Sequence, residues 1–416
     1  MFKNINCKNL PSLRRNIVYQ FLYELLIVFI PLFTIPYVSR VLGAENIGLF
    51  SYTYAVANYF VLFANLGIKN YGSRTIAMVR NNKEELNRNF SEILSIHIIF
   101  SIIVIFVYLV LLFFFVEDNL VIFLIQSIYV FAAVFDINWF FFGIEKFKLT
   151  VGRNTLVKIL SVFLVLVFVK TQTDLWIYAL ILALSVFVGQ SVVWFALKQY
   201  VSWRRPSWAN MKQHIRPLFV LFLPILALSL YKYMDKIMLG SISSNVQVGF
   251  YENAEKIINV PMSLIMAFGV VLMPRIANMV TSKDKGEVFK LIDMSMEAVM
   301  LLAIAISFGL AGISFVLAPI FFGYEFEECG ILIMGLAVTV PFMAFANVIR
   351  TQYLIPYKED KIFVVSLFLG AAVNLIVNII LIPYMAARGA VIGTIFAEII
   401  VCIYPVSYTH LTLPTI

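Results

Sequence analysis

Two short stretches carry ionisable side chains deep in otherwise apolar sequence: LYKYMDKIMLG, Leu230 to Gly240, and GFYENAEKIINVP, Gly249 to Pro261. On a helix Lys232, Asp235 and Lys236 stand at i, i+3 and i+4 and share a face, as do Glu252, Glu255 and Lys256. The chemistry open to such stripes is the holding of charge away from water. An ionisable side chain at a bilayer centre costs about 2.5–3.5 kcal/mol on insertion scales, so it reads first as functional. The competing reading is that the lysines snorkel to the outer interface. Two adjoining helices charged at one level favour a polar cavity wall, because helices facing lipid would not carry such stripes.

Bond-making chemistry finds little support. Cys7, Cys329 and Cys402 form no pair or CxxC motif, and His97, His214 and His410 have no metal-ligand spacing. No GxxxxGK[ST] loop, GxGxxG turn or HExxH pair occurs. ATP binding is not expected, and neither a cofactor nor a metal is implied.

The elements that position the stripes are membrane spans. The chain has 416 residues, 62% hydrophobic and 13% charged, against about 25% charged in soluble domains, and a mean hydropathy of +0.94. A span needs about 20 apolar residues and must be helical, since lipid offers the backbone no partners. About twelve spans are expected: 17–42, 46–68, 91–116, 119–142, 150–170, 174–197, 217–240, 247–275, 289–318, 329–356, 361–382 and 388–406. The fold class is therefore an all-α polytopic membrane protein. The polar, basic start of the chain has no cleavage pattern, so the first span acts as its own insertion signal.

With the N-terminus cytoplasmic, the inner segments hold 22 of the 31 Lys and Arg residues and the outer connections three. That asymmetry orients the chain N-terminus inside. The net charge of +8 reflects topology, and nucleic-acid binding is not expected. The outer connections are too small to hold a folded catalytic domain.

The stretch KQYVSWRRPSWANMKQHIRP, Lys198 to Pro217, divides the chain. Five parts are expected: a cytoplasmic segment 1–16, an N-lobe 17–197, an amphipathic linker 198–216, a C-lobe 217–406 and a non-native tail 407–416. Trp203 and Trp208 among Arg204, Arg205, Lys212 and Arg216 suit the cytoplasmic headgroup layer, with docking of a partner enzyme as the alternative. VLGAENIGLFSYTYAVANYF and MLGSISSNVQVGFYENAEKI echo one another: Gly43, Gly48 and Phe50 correspond to Gly240, Gly249 and Tyr251. Parallel six-helix repeats would produce such an echo.

Other charged or polar residues in spans are weaker candidates. Glu24 lies ahead of Pro31 and Pro36, which remove backbone donors. Lys158, and Asp136 with Asn138, fit structural contacts as well as substrate groups. Arg275 and Arg350 are expected to snorkel at cytoplasmic helix ends, and Asn374, Asn378 and Glu398 to act as interhelical hydrogen-bond glue.

SRVLGAENIGLFSYTYAVANYFVLFANLGIKNYGSRTIA and YKYMDKIMLGSISSNVQVGFYENAEKIINVPMSLIMAFGVVLMPRIA closely resemble the corresponding regions of the Wzx-type O-antigen, capsule and exopolysaccharide oligosaccharide flippases. These belong to the MOP superfamily, with the MATE exporters and the lipid II flippase. The resemblance implies a MATE-like fold of two six-helix lobes around a central, often cationic cavity. It also implies a multi-pass protein of the bacterial cytoplasmic membrane that moves undecaprenyl-diphosphate-linked repeat units to the outer leaflet by alternating access. Glycosyltransferases and a polysaccharide polymerase would be its pathway partners, and membrane lipids its surroundings. For that cargo, Lys232, Lys236 and Lys256 would offer the diphosphate point charges. Tyr231, Tyr233, Tyr251 and Asn253 would line a path for the sugars. Asp235, Glu252, Glu255 and Glu24 are the candidate carboxylates for coupling to a proton or Na⁺ gradient. A MATE-like cation-coupled drug exporter is the alternative within transport, and a membrane oligosaccharide polymerase or ligase the alternative as an enzyme.

Overall fold

A computed structural model describes the backbone of residues 10–281 and 285–412; side chains are described from residue 30 to 407 except 31, 147, 148, 231, 270, 271 and 281–285. The helices are α1 (Leu10–Asn65), α2 (Ile68–Val79), α3 (Lys83–Phe115), α4 (Leu120–Val134), α5 (Asn138–Gly143), α6 (Phe147–Phe168) and α7 (Leu175–Leu197). They continue with α8 (Trp208–Ile242), α9 (Asn245–Thr281), α10 (Lys285–Phe322), α11 (Cys329–Ala337), α12 (Thr339–Val348), α13 (Asp360–Met385) and α14 (Ala387–Thr412). A π-helical turn, Ile349–Leu354, prolongs α12.

Among the described residues, 11 helical segments are long and apolar enough to cross a membrane. The expected spans 17–42 and 46–68 both fall on α1, where Gly43 breaks the helical backbone at φ 77°, ψ 171°. Only glycine adopts that conformation without a Cβ clash. Apolar side chains such as Phe113, Phe195 and Phe308 stay more than three-quarters exposed, as lipid-facing positions do. Between helices the lipid supplies no hydrophobic drive, so close packing of small residues and internal hydrogen bonds must hold the fold.

By its contacts the chain groups into two compact units, one containing Val56–Ile225 and the other Ile35–Ala55 with the chain from Leu226. The boundaries fall inside α1 and α8. In the first unit, a core around Phe90, Trp139, Phe140 and Phe141 joins α3 to α5. Asn82 caps α3 by accepting hydrogen bonds from the backbone amides of Glu84 and Glu85, which satisfies two orphan donors of the first turn. The expected linker is non-helical over 198–207, and α8 starts at Trp208, well before residue 217. Its backbone is pinned to α3: the Ser202 amide donates to Asn87 Oδ1 at 3.0 Å and the Arg204 amide to Ser91 Oγ at 3.0 Å.

The same unit buries a polar triad that the sequence did not disclose. His214 Nδ1 shares a 2.6 Å hydrogen bond with the Tyr71 hydroxyl, and its Nε2 lies 3.0 Å from Glu92 Oε2. His214 and Glu92 are 2% and 1% exposed. Each imidazole nitrogen thus ties α8 to a different helix, α2 or α3. Leaving such a buried group without its partner costs about 1–3 kcal/mol, and more if it is charged. His214→Ala should therefore lower the melting temperature of the purified protein measurably; an unchanged melting curve would deny the triad its structural role.

In the second unit the two echoing stretches meet. A Cβ on Gly48 would sit 1.6 Å from the carbonyl oxygen of Asn245, and one on Gly249 2.1 Å from that of Ala44. The middle of α1 is further held by Glu325 Oε1, which accepts from the Ala44 amide at 2.8 Å. Helices α13 and α14 form a tight hairpin in which Gly393 leaves room for the Asn378 side chain.

Candidate functional site

The second unit carries an open cavity of about 520 Å³. Its apolar lining includes Leu228, Ile258, Leu336 and Leu367, and its polar lining includes Lys232, Asp235, Tyr251, Glu255, Asn347, Arg350, Thr394 and Glu398. Thus α8, α9, α12, α14 and the π-helical turn all contribute polar groups.

Residues adjacent in sequence take different partners, because successive side chains on a helix point about 100° apart. Lys236 turns to α9: its Nζ lies 2.6 Å from Glu252 Oε2 and 2.8 Å from Glu255 Oε2. Glu252 Oε1 also takes Lys256, one turn on, at 3.1 Å. This makes a four-residue network of two lysines and two carboxylates. Lys236 is only 8% exposed, so it is not an interfacial anchor. A charge taken so far out of water is tolerable only when paired.

Asp235 pairs with neither lysine. It accepts three neutral hydrogen bonds: Oδ2 from the Tyr251 hydroxyl at 2.6 Å and the Thr394 hydroxyl at 3.0 Å, and Oδ1 from Asn378 Nδ2 at 2.6 Å. Asn378 Nδ2 also reaches Asn374 Oδ1 at 3.1 Å. Although it shares a helix face with two lysines, Asp235 is a carboxylate held by dipoles from α9, α13 and α14. Asn374 and Asn378, expected as interhelical glue, are its support.

Lys232 is the remaining member of the stripe. It is exposed in the cavity lining, its Nζ lies 5.6 Å from the Tyr233 ring centre, and no carboxylate is within ion-pair distance among the described residues. Asn253 is fully buried, and its amide donates to Ser39 Oγ at 2.9 Å; it does not line this cavity. The side chains of Glu24 and Tyr231 lie outside the described residues.

Arg350 departs from its expected snorkelling. It lines the cavity, with its guanidinium carbon 4.4 Å from the Phe363 ring centre. The π-helical turn changes the register of side chains around the helix, which no periodicity in the sequence signals. In the first unit, Asp136 and Asn138 form a local network. Asp136 Oδ1 accepts from Asn138 Nδ2 at 2.7 Å, and Arg153 donates to Asn138 Oδ1 at 3.1 Å.

Known proteins match this chain along nearly its whole length. A proposed O-antigen transporter of Shigella dysenteriae is 24% identical over 407 residues, covering 94% of this chain and 98% of the relative. The lipid II flippase MurJ of Bacillus subtilis is 29% identical over 192 residues, 43% of this chain and 35% of that protein. Among solved structures, the lipid II flippase MurJ in an inward closed conformation superposes with a TM-score of 0.73 at 15% identity, covering 96% of this chain and 88% of that one. An inward-facing multidrug resistance MATE family transporter of the MOP superfamily gives 0.69 at 14% identity, with 94% and 99% covered. A family model described as polysaccharide biosynthesis protein matches residues 13–280. With more than half of its length matched, the chain belongs to the polysaccharide biosynthesis protein family, as a multi-pass membrane transporter of MATE-like fold and not an enzyme.

Proposed function

We propose that the protein is a flippase that carries undecaprenyl-diphosphate-linked oligosaccharide repeat units from the inner to the outer leaflet of the bacterial cytoplasmic membrane, by alternating access, for surface polysaccharide synthesis. Lys232 is the observation that carries this reading. A lysine with no carboxylate partner among the described residues, on the wall of a cavity between apolar helices, is placed to meet an anion such as a diphosphate. A cationic drug would instead call for free carboxylates; of the three in the lining, Asp235 accepts three hydrogen bonds and Glu255 holds Lys236. Tyr251 lines the cavity but spends its hydroxyl on Asp235 and Thr394, so its part is to position the carboxylate, and Tyr233, beside Lys232, is the aromatic surface left for sugars. Lys236 and Lys256, already neutralised by Glu252 and Glu255, support the wall in this reading and leave the cargo contact to Lys232. Asp235, ringed by neutral donors, is the coupling carboxylate for a proton or Na⁺.

The test is complementation of a flippase-deficient strain, with insertion of the protein checked by immunoblot. The wild-type chain should restore surface polysaccharide, and Lys232→Ala should reduce it at least tenfold. Efflux of cationic dyes without restoration by the wild type would instead favour the exporter.

A further inference from the structure

The cavity of the second unit holds another cation with unmet hydrogen bonds. Arg350 Nε and Asn347 Nδ2 are both buried and lack a hydrogen-bond partner among the described residues. They stand three residues apart, so one helical turn presents both to the same cavity. No carboxylate lies within ion-pair distance of Arg350 among the described residues. The Phe363 ring centre lies 4.4 Å from its guanidinium carbon, a cation–π contact that satisfies none of the N–H donors. Gly269 lets this turn come close: a Cβ there would lie 3.0 Å from Asn347 Nδ2 and 2.6 Å from Thr351 Oγ1.

Buried donors are costly to leave unpaired, and a positive fork beside an amide N–H matches the oxygens of a phosphate. Depth sharpens the assignment. The span Cys329–Leu354 ends four residues after Arg350, about 6 Å of helix rise. In the N-terminus-inside orientation that end is cytoplasmic. Lys232 stands 24 residues beyond the start of α8 at Trp208, about 36 Å of helix rise from that cytoplasmic end.

We infer that Arg350 and Asn347 form a binding subsite for the phosphate oxygens of a lipid headgroup, at the inner-leaflet end of the cavity. Resting on the flippase reading, the subsite is where the cargo's diphosphate is first held before it reaches Lys232. Bulk anionic phospholipid offers the same chemistry.

The experiment places the full-length protein in phosphatidylcholine nanodiscs and measures binding of undecaprenyl diphosphate, phosphatidylglycerol and uncharged undecaprenol by native mass spectrometry. Arg350→Gln should weaken undecaprenyl diphosphate at least tenfold and leave undecaprenol unchanged, with Arg350→Lys falling between. A loss confined to phosphatidylglycerol would keep the phosphate subsite and assign it to bulk lipid. Equal binding of both anionic lipids by wild type and Arg350→Gln overturns the subsite, as does failure of the wild type to bind either. Asn347→Asp, which puts a carboxylate beside the guanidinium, should also weaken binding and decides the matter if the Gln variant does not fold. The flippase reading is judged separately, by whether the wild type restores surface polysaccharide.

Discussion

Lys236→Met should lower the melting temperature of the purified protein sharply and abolish restoration of surface polysaccharide, whereas Lys236→Met with Glu252→Gln and Glu255→Gln should recover most of the stability. The reason is the order in which charges are left unpaired. Lys236 holds two carboxylates at 2.6 and 2.8 Å, with side-chain exposures of 10%, 14% and 24% across the three residues. Removing one member of a buried ion pair costs about 3–5 kcal/mol, because the remaining charge stays desolvated without compensation. Replacing the charged set with neutral groups of similar size removes that penalty and is often close to neutral. Lys256 loses its partner in the triple variant, but its side chain is 33% exposed and water can attend it. Differential scanning fluorimetry of the single and triple variants in detergent checks this. A single variant that melts like the wild type would show that the network does not brace the unit. A stable triple variant that still fails in cells would move the charges from structure to transport.

Asp235→Asn should leave the fold nearly intact and remove the response of transport to an ion gradient. The substitution keeps the shape of the side chain and one acceptor oxygen for Tyr251 and Thr394. Its new amide would face Asn378, whose own Oδ1 has no partner among the described residues, so turning the Asn378 and Asn374 amides together supplies an acceptor and keeps their mutual hydrogen bond. What is lost is the negative charge, the one property that a proton or Na⁺ can neutralise. In vesicles loaded with lipid-linked oligosaccharide, the wild type should flip cargo faster under an imposed proton or Na⁺ gradient, and Asp235→Asn should not. An Asp235→Asn protein that still answers the gradient would exclude Asp235 as the coupling carboxylate. The coupling ion is whichever gradient moves the wild type.

How much of this was legible in the sequence depends on whether local spacing or distant packing sets the outcome. The i,i+4 pair Glu252–Lys256 follows from one helix alone and appears at 3.1 Å. Lys236 with Glu252 and Glu255 needs two helices in register, yet LYKYMDKIMLG and GFYENAEKIINVP are consecutive and antiparallel, so their charged turns meet near the connecting loop. Asp235 with Asn378 and Thr394 was not readable: those residues lie more than 140 positions away, and nothing in either segment announces the other. The same holds for His214, whose partners Tyr71 and Glu92 come from helices over 120 residues upstream.

The amino-acid sequence by itself determined the class of the protein, because a bilayer leaves few options. Long apolar runs must be helices, and basic residues gather on one side. A charge inside a span must find a partner or a function. The tertiary structure alone decided which charges are spent on one another and which stay available. Lys232 and Lys236 are one turn apart and chemically identical, but α9 presents carboxylates to Lys236 and none within ion-pair reach of Lys232. Arg350 reads like any basic residue near a helix end until the π-helical turn sets it against the cavity over Phe363. An ion pair or hydrogen bond needs its atoms at contact, about 3 Å apart, and distances of that size are set by packing between helices, which the spacing along any one of them does not contain.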